Sequence, residues 1–309
     1  MDDDHDASNG GDDEAGSSPA LTGSKPSPRP TPPGLHVVAT PIGNLGDLTR
    51  RAERVLASAD LVLCEDTRVT GNLLRHLGLR RPLQAYHEHN AAKVRPQVME
   101  RLKAGAVVAL VSDAGTPLVS DPGFKLVREA AEAGVAVVPV PGPSAVLAAL
   151  AAAALPTDRF LFGGFLPAKP GARARALDEL GRVRATLVLF ESAQRLPAMM
   201  AEAAERLGPR QAAVARELTK LHEEVRRDRL DALAAHYAAA GPPRGEVVVV
   251  IGPPDETSEP AVDDEAVEAA LREALATQKP RAAAAAVSAA TGLPANELYR
   301  RALALRATP

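Results

Sequence analysis

Short apolar runs alternate with amphipathic segments between residues 35 and 154, a pattern typical of an α/β fold. Four runs of four to six residues, rich in Val and Leu, predict β-strands. The segments between them place apolar residues three or four positions apart, which predicts helices. Such alternation indicates a mostly parallel sheet covered by helices. The predicted strands are Leu35–Ala39, Leu61–Cys64, Val107–Val111 and Val135–Val140, and the predicted helices are Leu48–Leu56, Thr70–Leu77, Pro96–Lys103, Phe124–Ala133 and Ser144–Ala154.

The alternation resumes after Leu155-Pro156, where we place the passage into a second α/β domain. We therefore predict one domain over residues 35–147, a second over 148–254 and a small helical appendage over 263–309. An acidic, Pro-containing linker precedes the appendage. The predicted strands of the second domain are Phe160–Gly163, Thr186–Phe190, Gln211–Ala215 and Glu246–Ile251. Its predicted helices are Ala172–Leu180, Leu196–Leu207 and Asp231–Ala239. The predicted helices of the appendage are Asp264–Ala276, Arg281–Thr291 and Ala295–Leu305.

Composition sets further limits on the class of protein. Residues 1–34 are rich in Asp, Gly, Ser and Pro and carry seven acids against two bases, which predicts a disordered tail. The whole chain has a net charge of −3, whereas residues 35–309 alone have a net charge of about +2. A slightly positive folded part is compatible with nucleic acid as a partner. The acidic start is unlike a signal peptide, and no run of about 18 apolar residues is long enough to span a membrane. These features predict a cytoplasmic protein.

The chain has one cysteine, Cys64, which ends an apolar strand and is predicted to be a buried thiol. No CxxC or HExxH motif occurs, and the seven histidines lack the spacing of metal ligands. We therefore expect no bound metal.

The segment Val111–Gly123, VSDAGTPLVSDPG, is a glycine- and proline-rich turn between a predicted strand and a predicted helix. In open α/β sheets, ligands bind beyond the carboxyl ends of the strands, where such a turn lies. It matches neither GxGxxG nor GxxxxGK[ST], so it is not a dinucleotide fingerprint or a P-loop. A purely structural strand-to-helix turn is the alternative.

Three other strands also run into polar or glycine-rich turns, within Leu35–Leu45, Leu61–Arg68 and Val135–Ala145. Parallel strands gather such turns on one edge of the sheet. The sequence therefore predicts a binding site at that edge.

Eight segments, in order along the chain, resemble those of the RsmI-type proteins. These are bacterial 16S ribosomal RNA ribose 2′-O-methyltransferases of the tetrapyrrole methylase superfamily. The resemblance spans about residues 35–306. The chain departs from the family within Glu191-Ser192-Ala193-Gln194-Arg195, because the family has Pro-His in place of Ala193-Gln194. The matching segments are TPIGNL (Thr40–Leu45), CEDTR (Cys64–Arg68), HEHN (His87–Asn90), SDAGTPLVSDPG (Ser112–Gly123), PGPSA (Pro141–Ala145), FGGFLP (Phe162–Pro167), RELTKLHEE (Arg216–Glu224) and GEVVVVIG (Gly245–Gly252).

This resemblance implies two α/β domains with a cleft between them, a homodimer, and S-adenosylmethionine as methyl donor. The implied reaction is methylation of the ribose 2′-hydroxyl of a 16S rRNA cytidine (position 1402) in the decoding region, with the assembled 30S subunit as the expected substrate. Two alternatives stay open at this point. One is a precorrin-type methylase that acts on a tetrapyrrole, and the other is a non-catalytic ribosome-binding relative.

The donor carries a sulfonium cation, an amino-acid head and an adenine, so its site needs carboxylates and closely approachable backbone. The Asp113 carboxylate and the Ser144 hydroxyl fit these needs; a turn carboxylate bonded to its own backbone and a simple helix cap are the alternatives. The predicted donor-binding residues are Pro41, Gly43, Asp113, Ala114, Gly115, Thr116, Gly142, Ser144, Ala145 and Glu191.

A ribose hydroxyl needs a base, and the cluster Glu65, Asp66 and Arg68 at a strand end is the predicted catalytic group. A structural ion pair with a helix cap is the alternative.

For RNA, we predict contacts from the Arg173–Arg184 run and from Arg281, Arg300, Arg301 and Arg306, although charge runs are commonly solvated faces. Glu191, Arg195, Arg216, Glu217 and Lys220 are expected on the second cleft wall, with inter-domain ion pairs as the alternative. The predicted substrate-binding residues are Asn44, His87, Arg182, Arg184 and Lys220.

Overall fold

The computed structural model describes residues 30–254, 264–291 and 293–307. Most of the predicted disordered tail, and the predicted linker before residue 263, lie outside these ranges. Gly34 already belongs to the first strand, one residue before the predicted start.

The first half of the chain forms a five-stranded, wholly parallel sheet with the order β3-β2-β4-β1-β5. β2 and β4 are buried at every position, as their Val- and Leu-rich sequences predict. The elements are β1 (Gly34–Val38), α1 (Arg50–Ser58), β2 (Leu61–Cys64), α2 (Thr67–His76), β3 (Leu83–Ala85), α3 (Ala91–Lys103), β4 (Val107–Val111), α4 (Phe124–Glu132), β5 (Val137–Val140) and α5 (Ala145–Ala152).

The second half forms a mixed five-stranded sheet with the order β6-β7-β10-β8-β9, in which only β6 and β7 are parallel. Its elements are β6 (Phe160–Phe165), α6 (Pro170–Gly181), β7 (Thr186–Ser192), α7 (Leu196–Leu207), β8 (Gln211–Arg216), β9 (Glu224–Arg229), α8 (Leu230–Ala240) and β10 (Glu246–Ile251).

The sequence pattern missed two edge strands, β3 and β9. β3 has only three residues, all half-buried, so it gives no recognisable apolar run. β9 reads EVRRDR and exposes its last four residues, so charge replaces the usual apolar alternation. Helix α3 also begins five residues before the predicted start, because Pro96 lies inside the helix rather than at its first position.

Helix α5 joins the two halves. Its sequence, AVLAALAA, is apolar on all sides, which is typical of a helix buried on more than one face. Ala149 and Leu150 are buried in one apolar cluster with Val188 of β7 and Val248 and Val250 of β10. The carboxyl edge of the first sheet is thereby held against the second sheet.

The three C-terminal helices are α9 (Asp264–Thr277), α10 (Pro280–Thr291) and α11 (Ala295–Ala307). They enclose a small core of their own, with Leu271, Ala284, Val287 and Leu298 buried in it. The predicted α/β architecture with a helical appendage is therefore confirmed. Within the described ranges, none of the helices combines the length and the apolar character that a membrane crossing requires.

A matched pair of substitutions tests the packing of α5. Ala149 is fully buried in the cluster that α5 forms with β7 and β10, whereas Ala151 on the same helix is exposed. Ala149→Leu should lower the free energy of unfolding by about 1–3 kcal/mol, because the added methyl groups have no space. Ala151→Leu should change it by less than about 0.5 kcal/mol. Urea denaturation measures both, and equal effects would contradict the described packing.

Candidate active site

A cleft with a cavity of about 500 Å³ lies between the two halves. The first half contributes the turns that follow β1, β4 and β5, and the second half contributes the ends of β6, β7 and β8 and the start of β10. Cavities of this size hold single cofactors or drug-sized molecules. The lining residues include Ile42, Asp113–Thr116, Val119–Asp121, Ser144–Val146, Phe165, Phe190–Ala193, Ala215, Leu218 and Gly245–Val248.

The turn after β4 is fixed by hydrogen bonds to the turns after β1 and β5. Thr40 and Gly115 exchange two backbone hydrogen bonds, of 2.9 and 3.0 Å. The Thr40 hydroxyl donates to the Ser112 carbonyl at 3.1 Å, and the Thr116 hydroxyl donates to the Pro143 carbonyl at 3.1 Å. Three loops of the carboxyl edge therefore form one connected wall of the cleft.

The rest of this turn holds non-glycine residues in the left-handed backbone region. Leu118 has φ 75° and Ser120 has φ 66°. On the opposite side, Glu217 and Thr219 have φ 50° and 67°. Such conformations are costly for ordinary residues and persist where the surrounding structure enforces them, commonly at functional sites.

Asp113 lines the cleft, and its carboxylate also links two loops. Its Oδ1 accepts the backbone N–H of Asp66 at 3.0 Å. The bond therefore joins the β4 turn to the β2 turn, rather than closing within its own turn as the alternative interpretation supposed. Ser144 caps α5, with its hydroxyl accepting the Leu147 N–H at 3.5 Å, and still lines the cleft.

Seven of the ten predicted donor-binding residues line the cleft, and three lie beside it. Pro41 borders a neighbouring pocket of about 250 Å³. Gly43 lies directly under the Lys220 side chain. Gly142 packs on Ala39, where a Cβ on the glycine would come within 3.1 Å of the alanine Cβ. The seven in the cleft are Asp113, Ala114, Gly115, Thr116, Ser144, Ala145 and Glu191.

Glu191 is fully buried at the end of β7 and is held by two partners. Its carboxylate accepts the Ser192 N–H at 2.7 Å and pairs with Arg195 at 3.1 Å. Arg195 in turn donates to the Leu166 carbonyl at 2.7 Å, which ties the loop after β6 to the turn after β7. Ala193, where the resembling family has Pro, lines the cleft, and Gln194 is exposed.

Asp66 and Arg68 form a helix cap and a local ion pair. The Asp66 carboxylate accepts the Arg68 backbone N–H at 2.8 Å and pairs with the Arg68 guanidinium at 2.6 Å. The hydrogen bond from the guanidinium has the larger effect and the backbone bond adds to it, so that the pKa of Asp66 is lowered to about 2. A carboxylate so stabilised in its charged form is a weak base, which favours the structural alternative for this pair. Glu65, at the end of β2, is exposed.

Sequence reasoning missed Asp121, which lies in the same turn as Asp113 and lines the cleft. Burial raises the pKa of Asp121 to about 6, and the nearby charge of Glu65 adds to this effect. A carboxyl group poised near neutral pH in a cleft is a common feature of catalytic sites. The second acid in SDAGTPLVSDPG was visible in the sequence, but its half-buried position at the cleft was not.

The predicted substrate-binding residues do not converge on the cleft. Lys220 is neutralised by Glu217 at 2.9 Å and Glu246 at 2.8 Å. Asn44 caps a short 3₁₀ turn through the Gly46 N–H at 3.0 Å. The ion pairs of this wall, including Arg216 with Glu224 at 3.1 Å, lie within the second half rather than between domains.

His87 lies beyond the end of β3, and its backbone N–H donates to Asn90 Oδ1 at 2.9 Å. Its ring Nδ1 is buried without a hydrogen-bond partner in the structure. The HEHN segment is therefore a turn before α3 that the Asn90 side chain closes, next to the outer strand of the first sheet.

The arginine run lies at the other end of β7 from the cleft. Arg182 and Arg184 are exposed just before this seven-residue strand, about 20 Å along it from Glu191. Arg173 is buried on α6 and pairs with Glu202 of α7, so its predicted contact with RNA is wrong. Helical periodicity places Arg173 on the inner face, which composition alone had not distinguished.

Cys64 is buried, as predicted, and burial raises the pKa of its thiol. Among the residues of the described ranges, no group of three or more His, Cys, Asp or Glu side chains could hold a metal ion.

Comparisons with known proteins identify the family. The family model described as "Tetrapyrrole (Corrin/Porphyrin) Methylases" matches residues 34–234, and "RsmI C-terminal HTH domain" matches residues 261–306. A protein of Mesorhizobium japonicum named "Ribosomal RNA small subunit methyltransferase I" is 53% identical, over 91% of this chain and 95% of its own length. One of Erythrobacter litoralis with the same name is 51% identical, over 91% of this chain and 98% of its own.

The chain belongs to the ribosomal RNA small subunit methyltransferase I family, within the tetrapyrrole methylases. The resemblance read from its motifs is confirmed. The fold of this methyltransferase family member is shared more widely. A solved uroporphyrin-III-C-methyltransferase from Thermus thermophilus is 25% identical, with a TM-score of 0.51 over 71% of this chain and 93% of the other. A solved diphthine synthase is 20% identical, with a TM-score of 0.54 over 71% of this chain and 89% of the other, which shows likeness of fold alone.

Gly115 offers a test of donor binding in this methyltransferase. Its φ is +81°, and a Cβ there would come within 3.3 Å of Ile42 Cγ2 in the cleft lining. Gly134 has a similar φ of +73° but nothing within 4 Å. Both Gly→Ala variants should lose about 1–2 kcal/mol of stability from backbone strain.

Only Gly115→Ala should also weaken binding of S-adenosylmethionine, because it alone crowds the cleft. Isothermal titration calorimetry on the two folded variants measures this difference. Equal donor affinity in both variants would contradict the placement of the donor against the β4 turn.

Proposed function

We propose that this protein transfers a methyl group from S-adenosylmethionine to the ribose 2′-hydroxyl of a cytidine in the decoding region of 16S rRNA. The observation that carries the proposal is the cleft between the carboxyl-edge loops of one half and the strand ends of the other, in a chain 53% identical to a ribosomal RNA small subunit methyltransferase I. The protein is an enzyme of the methyltransferase class.

The residues of the cleft fit the methyl donor. Asp113 and Glu191 supply carboxylates for a sulfonium and an ammonium group, and the turn around Gly115 supplies closely approachable backbone. Val119, Phe190 and Val248 supply apolar surface of the kind that covers an adenine. When bound, S-adenosylmethionine provides an electrophilic methyl group on sulfur.

The protein's own part is positioning and proton transfer. A ribose hydroxyl is a weak nucleophile until its proton leaves, so the cleft must align the hydroxyl and provide a base. The interlocked turns after β1, β4 and β5 give a rigid wall for that alignment. Fixed geometry of this kind reduces the entropic cost of bringing two reactants together.

RNA docking involves surfaces outside the cleft. Arg281, Arg300 and Arg306 are exposed on the C-terminal helices, within the segment that matches the RsmI C-terminal HTH domain. Arg182 and Arg184 are exposed at the far end of β7. A folded rRNA segment is large enough to contact such separate points through its phosphates.

The assembled 30S subunit in the cytoplasm is the proposed substrate, and a homodimer is the proposed active form. Phe124, Leu147 and Phe165 are 65%, 55% and 59% exposed and provide apolar surface for a second copy.

Methylation of a tetrapyrrole is the second candidate function, since a solved uroporphyrin-III-C-methyltransferase shares the fold at 25% identity. The much higher identity to rRNA methyltransferases favours RNA.

The direct experiment incubates the protein with methyl-labelled S-adenosylmethionine and 30S subunits from a strain that lacks the enzyme. We expect label on the ribose of one 16S rRNA cytidine, mapped by nuclease digestion and mass spectrometry. Naked 16S rRNA and a uroporphyrinogen serve as competing acceptors. Transfer to the tetrapyrrole instead would support the second candidate, and donor binding without any transfer would support a non-catalytic relative.

The Arg182→Gln, Arg184→Gln double variant tests the proposed phosphate contacts. RNA affinity should fall, and the slope of log affinity against log salt should decrease by about 0.7–0.9 for each phosphate that is no longer neutralised, because fewer counterions are released. Donor affinity should be unchanged, since both residues lie at the other end of β7 from the cleft. An unaltered salt slope would show that these arginines form only a solvated face.

A further inference from the structure

The cleft contains four carboxylates, and three of them are committed to other groups. Asp113 accepts the Asp66 N–H at 3.0 Å. Glu191 is held by Arg195 and the Ser192 N–H, and Glu246 pairs with Lys220 at 2.8 Å. The fourth, Asp121, forms no ion pair with any described Lys, Arg or His side chain.

We propose that Asp121 is the general base that takes the proton of the acceptor hydroxyl. This role rests on the proposed function, because it assigns the base of that reaction. It replaces Asp66, whose carboxylate is occupied by the Arg68 guanidinium and by the first turn of α2.

The backbone around Asp121 holds it at the cleft. Ser120 before it has φ 66°, and Gly123 after it has φ 131°, where a Cβ would lie within 2.8 Å of Leu110 and Leu118 side-chain atoms. Glycine is therefore required at position 123 for the loop to turn back into α4. This enforced conformation places an acid on the cleft wall at a fixed position.

The charged groups near Asp121 come from two neighbouring loops and are acidic. Glu65 follows β2 and Asp113 follows β4, and the Ser112 hydroxyl is the neutral group beside them. Burial and these charges raise the pKa of Asp121 to about 6, whereas that of Asp66 is lowered to about 2. At pH 7 Asp121 is mostly ionised yet binds a proton far more readily than Asp66, as an effective base should.

The proton step balances with the transfer it accompanies. The O2′–H bond breaks as a bond forms between O2′ and the methyl carbon, and the proton passes to a carboxylate oxygen of Asp121. The electron pair of the broken carbon–sulfur bond stays on sulfur, whose positive charge is thereby neutralised. The carboxylate becomes a neutral acid and later loses its proton to solvent.

The test compares Asp121→Asn with Asp158→Asn, the same chemical change at an exposed position before β6, at the end of the second sheet away from the cleft. Single-turnover transfer to 30S subunits should fall by about 100-fold or more in Asp121→Asn and stay at the wild-type rate in Asp158→Asn. Donor affinity, measured by calorimetry, should stay within about threefold of wild type in both, since asparagine keeps the shape of the side chain.

The pH dependence separates a base from a structural acid. The rate of the wild-type protein should fall below about pH 6, which is where Asp121 takes up a proton. Glu65→Gln should move this midpoint to lower pH, because the variant removes one cause of the raised pKa.

Thermal stability gives a second readout that needs no substrate. Folding raises the pKa of Asp121 from 3.8 to about 6, so the protonated carboxyl group stabilises the folded protein. This stabilisation is complete below pH 3.8 and is lost as the pH rises through about 6. Asp121→Asn should therefore have a higher Tm than wild type at pH 8, and the difference should disappear near pH 4.

Wild-type turnover in Asp121→Asn would overturn the assignment while leaving the proposed function intact. Loss of turnover in Asp66→Asn with Asp121→Asn active would return the role to Asp66. An equal Tm of wild type and Asp121→Asn at pH 8 would contradict the raised pKa of Asp121. No transfer by the wild-type protein to any acceptor would overturn the function and the base together.

Discussion

The burial of α5 against the second sheet, in one cluster with Ile42 and Val119 from turns of the first half, is the interaction on which the cleft depends. The helix begins at Ser144, in the turn that lines the cleft, and its next residues pack against β7 and β10 of the second half. Apolar burial of this kind is non-directional, but a close-packed interface permits few relative positions of the two sheets. The same helix therefore supplies cleft residues and sets the distance between the cleft walls.

Hydrogen bonds then fix the loops that α5 brings together. The backbone pair between Thr40 and Gly115, and the bond from Asp66 to Asp113, connect the turns after β1, β2 and β4. Most polar groups of the cleft are used twice in this way, for structure and for lining the site. Asp121 differs because burial and neighbouring acids disfavour its charge, which is the physical basis for giving it a chemical role.

The central strands and most helices could be predicted because their patterns follow directly from burial. β2 and β4 are apolar at every position since both faces of the first sheet are covered, and α7 was predicted at its observed bounds, Leu196–Leu207. The edge strands β3 and β9 escaped because a strand with one open side needs few apolar residues. Six of the seven predicted donor residues that line the cleft belong to the segments Ser112–Gly123 and Pro141–Ala145, which resemble the family; the seventh, Glu191, ends β7 just before the departure at Ala193-Gln194.

Side-chain partners were much harder to predict, because they depend on packing between distant segments. Arg173 belongs to a basic run in the sequence but is buried against Glu202, and Lys220 was predicted as a substrate ligand but is neutralised by two acids. Asp66 and Asp121 look alike in sequence, yet the Arg68 guanidinium lowers the pKa of Asp66, whereas partial burial raises the pKa of Asp121.

The most direct test of the account is an experimental structure of the protein with S-adenosylhomocysteine bound. The account predicts the ligand in the interdomain cleft, in contact with the turn around Gly115, with the start of α5 at Ser144 and Ala145, and with the second half near Val248. Binding in the neighbouring pocket beside Pro41 and His76, or on one half alone, would contradict the claim that the two halves together form the methyl-donor site.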